Sequence, residues 1–109
     1  MRILLTGASG QLGAYVLEEI VAGGFSTHAW GHSSGGERLG MAIASMELEN
    51  ADTRSELDRA DPEAVIHLAA MSTAEGVRLN PEKAQRVNVD VTARIAEWCG
   101  RKGLSLIHI

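Results

Sequence analysis

Thr6-Gly7-Ala8-Ser9-Gly10-Gln11-Leu12-Gly13 lies directly behind the apolar run Ile3-Leu4-Leu5 and directly ahead of a helical pattern. Strand, glycine turn and helix in that order suit a nucleotide pyrophosphate. The tight turn brings backbone close to the ligand, and unpaired N–H groups at the helix start face phosphate oxygens. Gly7 suits the turn, Gly10 leaves a phosphate room to approach, and Gly13 lets the helix pack tightly on the sheet. Ser9, Gln11 and Leu12 supply the rest of the cradle. The spacing is G-x-x-G-x-x-G rather than G-x-G-x-x-G, and an ordinary glycine-rich connection would read similarly. Its place right after the first strand, where a doubly wound sheet begins, favours the nucleotide.

Downstream, Leu12, Val16 and Ile20 recur at helical spacing, with Leu17 and Val21 on the same face, and predict a helix over Gln11–Ala22. Gly23-Gly24 ends it in the manner of a left-handed cap. Residues 25–31, Phe25 to Gly31, suit a second strand, and His32 to Gly40, with three glycines and two serines, reads as a loop. Met41 to Glu49 fits a helical turn or a strand, and a third strand is placed near Met46 to Glu49 on topological grounds. Thr53-Arg54-Ser55-Glu56 reads as a capping box opening a short helix that ends before Asp61-Pro62.

The apolar run from Ala64 to Ala70 predicts a central parallel strand covered on both faces. Asn80-Pro81 opens the longest helix, with asparagine as N-cap and proline at the first helical position. Ala84, Val87, Val91, Ile95 and Trp98 form its buried stripe, and Arg101-Lys102 complements its dipole. A further strand begins at Leu104. Strands alternating with helices at this spacing predict an α/β fold, a doubly wound parallel sheet with right-handed crossovers that stops after its fifth strand.

At 109 residues the chain is one domain, and 45% apolar against 22% charged residues marks it as globular. A net charge of -4 with scattered basic residues argues against a nucleic-acid or anionic-membrane partner. Cys99 is the only cysteine, which excludes an internal disulfide and a CxxC site and fits a reducing compartment. No apolar run has signal-peptide or membrane-spanning length, so the reading is a cytoplasmic protein.

Dinucleotide selectivity belongs at the end of the second strand, where an acid would bind the ribose hydroxyls of NAD. About twenty residues past the glycine loop the chain instead offers His32, Ser33 and Ser34, with Arg38 in reach, which favours the 2′-phosphate of NADP over NAD. Asn50-Ala51 follows the expected third strand; the Asn50 amide either meets an adenine amine or simply ends the strand. The small residues of Leu68-Ala69-Ala70 either let backbone lie against the nicotinamide ribose or serve close helix packing. Ser72 and Thr73 lie where α/β sheets bind substrates, as contacts rather than nucleophiles. His67 in its apolar strand reads as a hydrogen-bonded core residue, and His28 with His32 makes no metal site. Asn88, beside the buried stripe, needs a water or a backbone group as partner.

The glycine loop, Asn50-Ala51 before the capping box, the Val65–Ala70 run, Asn80-Pro81, Asn88-Val89 and Thr92 together resemble the amino-terminal half of an extended short-chain dehydrogenase/reductase. Within that group they look most like the dTDP-4-dehydrorhamnose reductase type. The resemblance covers nearly the whole chain and implies residues 1–109 to be an incomplete NAD(P)-binding Rossmann domain. It implies NADPH as cofactor and reduction of a nucleotide-activated keto sugar in the full-length protein. The glycine loop would hold the pyrophosphate, Ala69 and Ala70 would line the nicotinamide side, and Asn88 would support a proton-relay water.

The family's Tyr-x-x-x-Lys pair is absent. Tyr15 is the only tyrosine and has Glu19 four residues on, while Lys83 and Lys102 have no tyrosine four residues before them. The chain is therefore expected to lack the substrate domain and to be inactive alone, continuing past Ile109 in its natural form. Its closing Ser-Leu-Ile-His-Ile also resembles translated adapter sequence. An unpaired last strand predicts association, as a homodimer or by aggregation. Two other readings share the motifs: a sugar-nucleotide epimerase or dehydratase of the same superfamily, and a non-catalytic NADP-binding sensor.

Overall fold

The computed structural model describes residues 1–32, 35–49, 52–71 and 73–108. Six strands form one sheet in the order β3-β4-β2-β1-β5-β6. They are β1 (Arg2–Thr6), β2 (Ser26–Gly31), β3 (Gly36–Arg38), β4 (Met41–Ser45), β5 (Ala64–His67) and β6 (Ser105–His108). All neighbouring pairs run parallel except β3 with β4. The chain moves outward from β1 through β2 to β4 and returns to pair β5 on the other side of β1. The carboxyl ends of β1 and β5 therefore flank a switch point, where open α/β sheets bind ligands.

The β1 side chains show why the sheet is covered on both faces. Successive residues of a strand point to opposite sides. Leu4 joins Trp30, Leu57, Val65, Val91, Ile95 and Trp98 in one core. Ile3 and Leu5 join Leu17, Ile20, Ala29 and Ile43 in the other. Helix α1 (Gln11–Ala22) packs on the second face, and α2 (Thr53–Ala60) with the long carboxyl-terminal helix packs on the first. Within the first core, Trp98 Nε1 donates to Asp58 Oδ1 at 2.8 Å, so the indole is buried without losing its hydrogen bond. No helix among the described residues is long and apolar enough to cross a membrane.

Helix α1 has the bounds its pattern predicts, and Gly24 adopts the left-handed conformation, φ +74, just past its end. Its buried face is Gly13, Leu17 and Ile20, leaving Leu12 and Val21 exposed. The third-strand expectation is corrected, because the strand is Met41–Ser45 and not Met46–Glu49. Leu39 and Gly40 both take positive φ and form a two-residue turn that folds β4 back on β3, inside the stretch read as loop. Ile43 then enters the core beside Ala29.

The capping box is corrected as well. The N-cap is Asp52, whose carboxylate accepts Ser55 N–H at 3.2 Å, while the Thr53 hydroxyl donates to the Leu48 carbonyl at 3.3 Å. The apolar run after Ala64 is strand only to His67; residues 68–71 form a turn. A short helix α3 (Ala74–Leu79), not foreseen, precedes Asn80.

Pro81 opens a continuous helical stretch to Lys102, made of α4 (Pro81–Gln85), a π-helical turn (Arg86–Asp90) and α5 (Val91–Lys102). Asn80 stands at the N-cap position without a side-chain cap bond. The predicted stripe from Ala84 to Trp98 is buried throughout. Gly103, φ +68, ends the helix behind Arg101 and Lys102.

Candidate functional site

A cleft of about 540 Å³ opens at the carboxyl ends of the central strands, within the size range of small-molecule sites. One wall is the glycine loop, from Gly7 through Ser9, Gly10, Gln11 and Leu12 to Gly13. The opposite wall is the turn after β5, Leu68, Ala69, Ala70 and Met71. Gly31 and His32 end β2 at the rim, Met46, Leu48 and Glu49 follow β4, and Lys83, Val87 and Val91 come from the long helix.

The glycines do what the sequence requires of them. Gly7 has φ +71, and a Cβ there would sit 2.9 Å from Ala69 N and from Leu68 C, so the two walls touch through its missing side chain. A Cβ on Gly13 would run into the Gly7 carbonyl oxygen. At Gly10 the nearest atom to a Cβ is the Gly7 carbonyl at 3.4 Å, leaving space in front of the helix. Gly10 caps α1 without a side chain, and the first turn of this twelve-residue helix holds no acidic residue. Its amino end can therefore receive an anion.

Arg38 reaches the same loop from β3. Its Nη1 donates to the carbonyls of Ala8 and Gly10, each at 2.9 Å, and Nη2 donates to that of Ser9 at 3.3 Å. A guanidinium behind the glycine loop adds positive charge there and fixes three of the loop's carbonyls.

At the rim, His32 Nε2 lies 3.1 Å from Glu49 Oε1, and Lys83 Nζ lies 3.8 Å from the same oxygen. The Glu49 side chain is only 3% exposed. Burial alone would raise its pKa, but its own backbone N–H, the His32 hydrogen bond and the charges of His32 and Lys83 together hold it below the usual 4.5. A buried carboxylate beside the glycine loop can accept hydrogen bonds from a polar ligand edge.

Asn88, in the π-helical turn, accepts the Met71 N–H through Oδ1 at 2.7 Å and donates Nδ2 to the Met71 carbonyl at 3.1 Å. The partner its side chain needs is thus backbone. Thr73 Oγ1 accepts Gly76 N–H at 3.1 Å as the N-cap of α3, and Thr73 does not line the cleft. Ser33, Ser34, Asn50, Ala51 and Ser72 lie outside the described residues. Among the described residues no three histidines, cysteines or carboxylates are grouped to hold a metal.

Of the expected cofactor residues, Gly7, Ser9, Gly10, Gln11, Leu12, His32, Leu68, Ala69 and Ala70 meet around this cleft, with Arg38 behind its loop. Glu49, Lys83 and Met71 were not foreseen. An acid directly after Leu48 was a readable signal, obscured by reading residues 46–49 as strand.

Comparison with known proteins agrees with this architecture. The chain is 28% identical over 109 residues to dTDP-4-dehydrorhamnose reductase of Aggregatibacter actinomycetemcomitans, covering 99% of this chain and 34% of that protein. It therefore spans about a third of the length of the curated relatives it matches. Among solved structures, UDP-glucose 4-epimerase of Thermotoga maritima, solved with UDP-glucose, superposes with a TM-score of 0.82 at 22% identity, covering 99% of this chain and 37% of that one. A hypothetical dTDP-4-dehydrorhamnose reductase of Sulfolobus tokodaii superposes with a TM-score of 0.79 at 24% identity, covering 99% and 38%. Such structural likeness establishes the shared Rossmann-like fold. The family model described as the RmlD substrate binding domain matches residues 1–109, and the chain belongs to that family.

Proposed function

We propose that this chain is the nicotinamide-dinucleotide-binding part of an NADP-dependent reductase acting on a nucleotide-activated keto sugar. One observation carries the reading: a glycine-punctuated helix start, Gly7 to Gly13, faces the Leu68–Met71 turn across a cleft at the sheet's switch point. The space left in front of the helix by the missing Cβ at Gly10 suits a pyrophosphate, while Gly7 lets the loop lie against Leu68 and Ala69. When bound, NADPH supplies the hydride that reduces a carbonyl.

The chain's residues then bind and orient. Gly7, Ser9, Gly10, Gln11 and Leu12 present backbone to the pyrophosphate. His32, Ser33, Ser34 and Arg38 favour a 2′-phosphate, since no acid stands at the end of β2 to take ribose hydroxyls. Glu49, Asn50 and Ala51 suit the adenine end, and Leu68, Ala69 and Ala70 the nicotinamide side. Ser72 and Thr73 are assigned to the substrate side, and Asn88 to support of the 68–71 turn that precedes them. A cytoplasmic setting and a homodimer belong to the same proposal, and the buried lone Cys99 suits the first.

Calorimetric titration of the chain with NADPH and NADH tests the assignment. NADPH should bind more tightly; tighter NADH, or no binding of either, overturns it. A second reading is an epimerase or dehydratase of the same superfamily; a UDP-glucose 4-epimerase that shares this fold was solved with NAD, and on this reading NADH should be the tighter ligand in the same titration.

A further inference from the structure

His67 is fully buried at the carboxyl end of β5, and both of its ring nitrogens are engaged. Nδ1 lies 2.7 Å from Thr6 Oγ1, and Nε2 lies 3.0 Å from Thr92 Oγ1. The protons at both ends can be counted. Thr92 has one hydroxyl proton, and it donates to the Asn88 carbonyl at 2.9 Å. Its oxygen therefore accepts from the ring, so Nε2 carries hydrogen. Thr6 Oγ1 already accepts the N–H groups of Leu68 at 3.0 Å and Ala69 at 3.1 Å. With both lone pairs filled, Thr6 has only its own proton to offer Nδ1.

Two independent counts thus give one tautomer. The reverse tautomer, or a charged ring, would put three donors on the Thr6 oxygen and strand its proton. Burial disfavours the charged ring, as does the His108 ring stacked at 5.2 Å from β6, the other ionisable group beside it, while the hydrogen bonds to Thr92 of α5 and Thr6 of β1 select the tautomer.

We propose that His67 is a positioning residue, which as the neutral Nε2–H tautomer links the long helix through Thr92 to Thr6 and so fixes the turn of residues 68–71 against the glycine loop. Thr6 holds that turn by its first two N–H groups, and Gly7 lies against the same two residues, Leu68 and Ala69. The separation of the two cleft walls is then set by a buried hydrogen-bond chain whose donors and acceptors run in one sense only. The effect on ligand affinity rests on the dinucleotide reading above; the tautomer and the rigidity of the turn do not.

Long-range proton–nitrogen NMR on the labelled chain should show His67 with hydrogen on Nε2 and a hydrogen-bonded bare Nδ1, unchanged over roughly pH 6 to 8. A protonated Nδ1, or tautomer averaging, overturns the proposal. His67→Leu should speed amide exchange of Leu68 and Ala69 and weaken NADPH binding, each about ten-fold. His67→Gln, whose amide can accept from Thr6 and donate to Thr92, should restore most of both. Unchanged exchange in His67→Leu, or no recovery in His67→Gln, also overturns it. If His67→Leu does not fold, Thr92→Val must speed the same two amides while Nδ1 stays bare, because the Thr6 count alone still demands it. Failure of the unaltered chain to bind NADPH or NADH would remove the cofactor reading, while the tautomer and exchange results still decide this one.

Discussion

Arg38 holds the Gly10 carbonyl at 2.9 Å across 28 residues of sequence, tying the β3–β4 hairpin to the glycine loop. The same Nη1 also binds the Ala8 carbonyl and Nη2 that of Ser9, so Arg38→Ala frees three loop carbonyls with one change. Hydrogen bonds from a charged donor contribute about 1.5–3 kcal/mol when well shielded, and partial exposure of Arg38 brings the expected loss down to about 1–2 kcal/mol. Urea denaturation should show it, and amide exchange should rise across residues 8–11. Arg38→Lys keeps the charge but not the fork and should fall between. NADPH affinity should drop more than NADH affinity in both variants.

Two glycine-to-alanine changes should move stability in opposite directions. In Gly13→Ala the new methyl meets the Gly7 carbonyl and lies 2.9 Å from Ala8 Cα, all of it backbone that cannot step aside. The expected loss is about 2–3 kcal/mol, together with loss of dinucleotide binding. Gly100, inside α5, has no neighbour within 4 Å of an added Cβ, so Gly100→Ala should gain about 0.5–1 kcal/mol of helix propensity. Parallel thermal melts separate the two.

Features encoded locally were readable in the sequence. The helix over Gln11–Ala22, the central strand from Ala64 and the buried stripe from Ala84 to Trp98 each carry their own periodicity and punctuation. The β3–β4 hairpin was hidden because its turn uses Leu39, a residue that rarely takes positive φ, rather than an Asn-Gly pair. Helix α3 was hidden because it buries no residue and so has no apolar stripe, which also hid the role of Thr73 as its cap. The grip of Arg38 on the loop and the pairing of Glu49 with Lys83 join residues far apart in sequence, and pattern alone cannot report such contacts.

Asn88→Ala should loosen the far wall of the cleft. It removes both the 2.7 Å and the 3.1 Å bonds to Met71 and leaves a half-buried N–H and carbonyl without those partners. The expected loss is about 1–3 kcal/mol in urea unfolding. Faster exchange of the Met71 amide would locate it; an unchanged Met71 amide would show that the turn is held by Thr6 alone.

Stability should decline as pH falls below neutrality, and His67 fixes the window. Burial first, and the charge of His108 second, lower its pKa from 6.5 to about 4 in the folded chain. Between those values the unfolded chain binds the proton and the folded chain does not, so unfolding gains about 1.4 kcal/mol per pH unit. The whole descent amounts to about 3 kcal/mol, complete once pH reaches the folded value. Glu49 and Asp52 act lower. Their folded pKa values lie beneath 4.5 and 3.8, so the stability they contribute is present above those values and is lost only as pH falls past them. Urea midpoints taken at pH 7, 6 and 5 therefore isolate the histidine. His67→Gln should flatten the slope across that range while leaving the acid limb in place, and a slope that survives the substitution would assign it to another group.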